Sequence, residues 1–243
     1  MTPIDLAPSI PQGPADPRRV LDDQGAVGPP RAHEVVRLEK VAMTPTPPYS
    51  RTRVIGNITM SLDGRTNGPG GSEDMSWVWP HNITNQARDA LVEMTSGTTV
   101  LFGRRNYLGF AAFWGPQASD PEAEPRFQKF GEWLEHVDKV VFSRTLAAVP
   151  WRNSRLASLG PVETVQSLRG TSQGDVWVLN SASIIRQLLE ADELDQFVIN
   201  LAPELAGGGD PLFADGMPTS SWSLARTTQS ESGAIRLYYD RIR

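Results

Sequence analysis

From Arg53 onward the chain alternates short apolar runs with segments of helical spacing, and that alternation leaves few folds open to it. Val54–Met60, Thr98–Phe102, Val140–Phe142, Val176–Leu179 and Phe197–Leu201 read as strands. Between them, Asn82–Thr95 sets Ile83, Ala87, Ala90, Leu91 and Met94 on one helical face, with Asn82 or Thr84 as the cap. Pro125–Val137 does the same with Phe127, Phe130, Leu134 and Val137, and Glu163–Leu168 reads as a short helix. A helix carrying Ile184, Ile185, Leu188 and Leu189 follows Ser181 or Ser183. Trp222–Thr228 and Ile235–Ile242 form an expected hairpin across Glu231-Ser232-Gly233. Strands that alternate with helices build a mostly parallel sheet covered on both faces, here with an antiparallel pair added at the end. The expectation is one α/β domain over residues 51–243.

The segment 1–50 has a different character. It holds half of the 20 prolines and is almost free of aromatics, so it has too little apolar surface to offset the entropy of ordering. A disordered arm is expected there, with a strand or short helix at Arg31–Val41 and Met43 as an alternative start.

Composition removes several kinds of chemistry. With Cys 0 there is no thiolate nucleophile, thiolate metal site or disulfide framework, which suits a cytoplasmic protein. Only His33, His81 and His136 are available, at spacings that suit no metal motif, and no G-x-S-x-G elbow is present. A net charge of −5 gives no footprint for nucleic acid, and no apolar run suits a membrane. What remains is chemistry carried by carboxylates or by a cofactor.

Four places carry the candidate chemistry. VIGNITMSLDGR (54–65) is a strand that breaks at Asp63-Gly64, with Arg65 beside the Asp63 carboxylate and Asn57 within the strand. Phe102-Gly103-Arg104-Arg105-Asn106 is a strand end, a glycine, two cations and a residue able to cap a helix. Ser143-Arg144-Thr145 offers hydroxyls and a guanidinium at the next strand end, suited to a monophosphate. Asn180-Ser181-Ala182-Ser183 leads into a helix whose first N–H groups suit a pyrophosphate. Each of them alone also reads as an ordinary turn.

Together and in order they resemble the dihydrofolate reductase-like superfamily, in particular single-domain relatives of the pyrimidine reductases of riboflavin biosynthesis. N-x-x-M-S-L-D-G-R resembles the opening strand of that group, and G-R-R-N-Y is similar to its G-R-x-T-[WY] junction. F-S-R-T-L resembles the strand end that meets the 2′-phosphate in the single-domain relatives. PELAGGGDPLF (203–213) resembles the P-x-x-x-G-G-G-x-P-L-F turn. The resemblance covers residues 53–243. It implies a three-layer fold, a homodimer, and NADPH held by Gly103, Arg104, Arg105, Asn106, Ser143, Arg144, Thr145, Asn180, Ser181, Ala182 and Ser183.

Two departures stand out. Asn180-Ser181 occupies a place that is usually Gly-Gly, where side chains would narrow the nucleotide path or add hydrogen bonds. The G-x-G-T-V-x-x-D-D-P string of the riboflavin-pathway reductases is absent, so the resemblance does not carry their substrate. The activity implied is hydride transfer from NADPH to a C=N or C=O of a small, heterocyclic substrate. Asp63 is expected as an anchor or proton source, Arg65 as a contact for an anionic group, and Asn57 as an orienting residue. The loop Asn67–Pro80 reads as a lid that brings Trp77 or Trp79 over a ring, or as a packed loop. His81 is expected at a cap or on the surface, and Gly207–Gly209 as a turn. The competing reading is a non-catalytic nucleotide- or metabolite-binding protein on the same scaffold, with Asn180-Ser181 in its favour.

Overall fold

In the computed structural model every buried strand serves two cores at once, because successive side chains point to opposite faces. It describes residues 52–172 and 174–243; the expectations for 1–50 lie outside these residues. In β1 (Val54–Met60), Val54 and Ile58 face one core and Ile55 the other. β2 (Thr99–Gly103) divides Leu101 from Val100 and Phe102 in the same way, and β5 (Val176–Leu179) divides Val176 and Val178 from Trp177 and Leu179. The first core is closed by α5 (Pro161–Thr171) and α6 (Ala182–Glu190), through Val165, Ile184, Ile185 and Leu188. The second is closed by α2 (Asn85–Met94), α3 (Arg104–Ser119) and α4 (Pro125–His136), through Met94, Tyr107, Trp114, Phe130 and Leu134. These are the three layers of a dihydrofolate reductase-like fold.

The remaining strands are β3 (Asp138–Phe142), β4 (Ser154–Leu156), β6 (Gln196–Leu201), β7 (Ser221–Gln229) and β8 (Ile235–Ile242). The sheet order is β4-β3-β2-β5-β1-β6-β8-β7. All neighbours from β4 to β6 are parallel, and β8 runs antiparallel to both β6 and β7. β5 inserts between β1 and β2, so the carboxyl ends of these three strands lie together at a point where the chain reverses its winding.

Several boundaries differ from the sequence expectation. The helix expected over 82–95 is α2, which begins after Thr84, the second of the two expected caps, whose side chain accepts from the Ala87 N–H; α1 (Trp79–Asn82) precedes it. The helix expected at 163–168 runs over Pro161–Thr171. β4, three residues long and polar, had no apolar signal. α3 is the longest helix among the described residues, although Gly109, Gly115 and Pro116 interrupt its pattern.

Candidate functional site

Above the ends of β1, β2 and β5 lies a cleft of about 1290 Å³. Asn57, the strand-to-helix residues Gly103–Asn106, Ser143–Thr145 and Asn180–Ser183 all line it. The fold thus brings together the expected nucleotide residues from three separate junctions. Two hydrogen bonds tie the first junction to the third: the Gly103 N–H donates to Ser181 Oγ at 2.9 Å, and Asn106 Nδ2 donates to the Asn180 carbonyl at 2.7 Å. Asn106 is therefore not the cap of its helix. α3 starts two residues earlier, with Gly103 at the N-cap, and Asn106 is freed to brace the junction.

The helices that rise from these strand ends begin without side-chain caps. Gly103 precedes α3, Gly160 precedes α5 and Ser181 precedes α6; none caps through a side chain, and all three line the cleft. Uncapped N–H groups and the helix dipole give each start a partial positive charge. Arg104, Arg105 and Arg144 add full charges, and none has a hydrogen-bond or ion-pair partner among the described residues. Ser143 Oγ is occupied, accepting from the Thr145 and Leu146 N–H groups at 3.1 and 2.9 Å.

Asn180 explains how the chain does without Gly-Gly. Its φ of +48° lies in the left-handed region, which asparagine tolerates better than most side chains. Its N–H donates to the Asn57 carbonyl at 2.8 Å, and its Oδ1 accepts from the Thr59 N–H at 3.0 Å. Ser181 Oγ donates to the Leu179 carbonyl at 3.0 Å while accepting from Gly103. Both polar tips are thus turned onto backbone groups.

Residues 52–235 match the family model of the RibD C-terminal domain. The chain belongs to that family. YyaP, an uncharacterized protein of Bacillus subtilis (strain 168), is 25% identical over 194 residues, covering 77% of this chain and 94% of that protein. A solved structure from Shewanella sp. PV-4, named for riboflavin biosynthesis, aligns with a TM-score of 0.60 at 21% identity, covering 79% of this chain and 100% of that one. Dihydrofolate reductase of Enterococcus faecalis, solved with NADP(H), aligns with a TM-score of 0.52 at 13% identity, covering 79% and 99%. The scaffold is of reductase type.

Three of the expected site residues of this RibD C-terminal domain lie outside the cleft lining: Asp63, Arg65 and Trp77. β1 pairs with β6, so the Asp63-Gly64 corner meets the glycine-rich turn that follows β6. Asp63 accepts from Ser61 Oγ at 2.6 Å and from the Ala206 and Gly207 N–H groups at 2.9 and 3.1 Å. The Ser61 hydrogen bond first, and then those backbone donors, hold its carboxyl below the usual range. A carboxylate so occupied is a poor proton donor near neutral pH. Arg65 Nη1 donates to the Gly209 carbonyl at 3.1 Å, and its Nε lies 3.8 Å from Asp63 Oδ2. Here the S-L-D-G-R corner grips the turn, and both side chains are engaged by groups of the chain itself.

The loop 67–80 is packed in the same way. Gly209, at φ +93°, comes so close to Asn67 that a Cβ would stand 2.1 Å from the Asn67 carbonyl oxygen. Asp210 N–H donates to Asn67 Oδ1 at 2.8 Å, and Asp74 accepts from Gly70 N–H and Ser76 Oγ. Trp77 Nε1 is buried without a partner, whereas Trp79 lines the cleft, is 56% exposed and meets Phe113 edge-on at 6.3 Å. His81 is buried in the lining, with Nδ1 2.8 Å from Ser232 Oγ and Nε2 3.3 Å from Glu204 Oε1.

Two cleft residues had not been singled out in the sequence, Asn200 on β6 and Arg236 on β8. Their only signal was a polar residue inside an apolar strand, and their meeting depends on strand order. No His, Cys, Asp and Glu cluster among the described residues suits a metal, and no described helix is long and apolar enough to cross a membrane.

Proposed function

We propose that this chain is an NADPH-dependent reductase that delivers hydride to a C=N or C=O carbon of a small, heterocyclic substrate. The observation that carries the reading is the convergence on one cleft of three helix starts without side-chain caps and three arginines with no partner among the described residues. Open N–H groups and free guanidinium groups suit a dinucleotide phosphate in donor type and in charge. The starts of α3 and α6 would take the pyrophosphate, and Arg144 with Thr145 the 2′-phosphate. When bound, the dinucleotide supplies the hydride.

The protein positions the substrate, excludes water and delivers the proton that the heteroatom requires. Trp79 and Phe113 supply apolar ring faces at the cleft mouth, and Asn57 supplies a polar group at its floor. With Asp63 tied to backbone, His81 and its partner Glu204 are the titratable pair placed to lead a proton to the cleft.

The position of Asp63 outside the lining favours a second reading, a nucleotide-binding protein without turnover. Mixing stoichiometric NADPH with a panel of cyclic imines and ketones and following nicotinamide absorbance separates the two. Oxidation of NADPH with at least one of them, slowed in His81→Gln, supports the reductase. NADPH binding with no oxidation across the panel supports the binding protein.

A further inference from the structure

Arg236 is a buried cation with one nitrogen left unpaired. It is 4% exposed and lines the cleft, yet it forms no ion pair among the described residues. Its Nε donates to Tyr238 Oη at 2.7 Å and its Nη1 to Asn200 Oδ1 at 2.6 Å, while its Nη2 is buried without any partner. The nearest carboxylate in the network, Glu93, is reached only through Tyr238 Oη and is already held by both Nη atoms of Arg226. Burial pushes the guanidinium below its ordinary value. A buried cation without a counter-charge is costly and calls for an anion or a strong acceptor.

The same arginine fixes the direction of a chain of amides. The register pairs Thr59 with Asn200 and Asn200 with Arg236, and Asn57 shares the sheet face of Thr59 two residues away. A guanidinium can only donate, so the Asn200 atom facing it must be oxygen. The Asn200 amide nitrogen then donates to the Ile58 carbonyl and to Asn57 Oδ1, both at 3.2 Å. That leaves Asn57 Nδ2. It has no partner among the described residues and is not sealed from solvent, so its N–H groups open onto the cleft.

Building on the reductase reading, we infer that Asn57 and Arg236 form a donor-only floor that selects substrates presenting an oxyanion or a polarised carbonyl edge, with Asn200 as the positioning residue that transmits the polarity. Two sources share this chemistry, a ring oxyanion and an exocyclic carboxylate. A ligand oxygen at Asn57 would answer the field of the buried cation.

The test is binding of three probes to the full chain, followed by ligand-observed NMR: barbiturate (ring oxyanion), benzoate (carboxylate) and benzamidine (a cationic, donor-only ring). At least one of the two anions is expected to bind about 10-fold or more tightly than benzamidine, and the better of them identifies the source. Arg236→Met should abolish the preference. Asn57→Asp retains an oxygen for Asn200 but turns an acceptor toward the cleft, and should reverse the preference toward benzamidine. Equal or tighter binding of benzamidine by the unaltered chain, or an undiminished anion preference in folded Asn57→Asp, would overturn the inference. NADPH titration of the same samples separates the two readings. Loss of nucleotide binding with the anion preference intact removes the reductase and leaves the floor. Normal nucleotide binding without the preference removes the floor alone.

Discussion

Two classes of helix start are built differently in this molecule. α3, α5 and α6 each follow a strand, and their N-cap residues Gly103, Gly160 and Ser181 line the cleft without capping through a side chain. α2 and α4 each follow another helix, and both are capped. Thr84 accepts from Ala87 N–H, and Glu124 accepts from Arg126 and Phe127 N–H. α4 is closed at its other end as well, where the buried Lys139 Nζ donates to the Leu134 and Val137 carbonyls. The starts of α2 and α4 are satisfied from within the chain. Those at the sheet's carboxyl edge have no side-chain cap, and arginines without partners among the described residues stand beside them.

The comparison breaks most sharply if an open start is closed. Gly103 has φ −74°, and a Cβ there meets only Ser181 at 3.7 Å or beyond, so Gly103→Asp can be accommodated. It installs a carboxylate cap where phosphate is expected. NADPH affinity should fall about 100-fold, while the helix is stabilised by a few tenths of a kcal/mol. Calorimetry for the first and thermal melts for the second check both signs. Arg144→Ala should weaken NADPH about 10-fold and leave NADH nearly unchanged, because it removes one charge-assisted contact to the 2′-phosphate alone.

Opening a closed start gives the converse. Thr84→Ala should cost about 1 kcal/mol in denaturant unfolding and leave nucleotide affinity unchanged. The last prediction concerns the sealed end of α4. Burial depresses the Lys139 amine to about 8. In the folded protein it loses its proton before the unfolded chain does, so the unfolded chain binds more protons above that pH. Stability should therefore rise from about pH 8 toward the ordinary lysine range, relative to a Lys139→Met variant, as followed by urea midpoints at each pH.

Much of the fold was legible because the parallel strands are apolar on both faces, as in Val176–Leu179 and Thr99–Phe102. The cleft-lining junctions were legible for a related reason: Gly103-Arg104-Arg105 and Ser143-Arg144-Thr145 sit where an apolar run stops, and the ends of parallel strands are where clefts open. β4 escaped because three residues bordered by turns carry no period. The partners of Asp63 were hidden for a spatial reason, since only the β1–β6 pairing shows that the Ala206 and Gly207 N–H groups reach its carboxylate. Arg236 was hidden more deeply. In a hairpin its position alternates like any other, and its burial follows from β8 lying between β6 and β7.

The most direct test of the central claim is a side-by-side titration of the unaltered chain and Gly103→Asp with NADPH and NADH at low and high salt, read by tryptophan quenching. The account predicts salt-sensitive binding to the unaltered chain, tighter for NADPH, with most of the affinity lost in Gly103→Asp. No binding of either nucleotide to the unaltered chain, or equal NADPH affinity in both proteins, would contradict it.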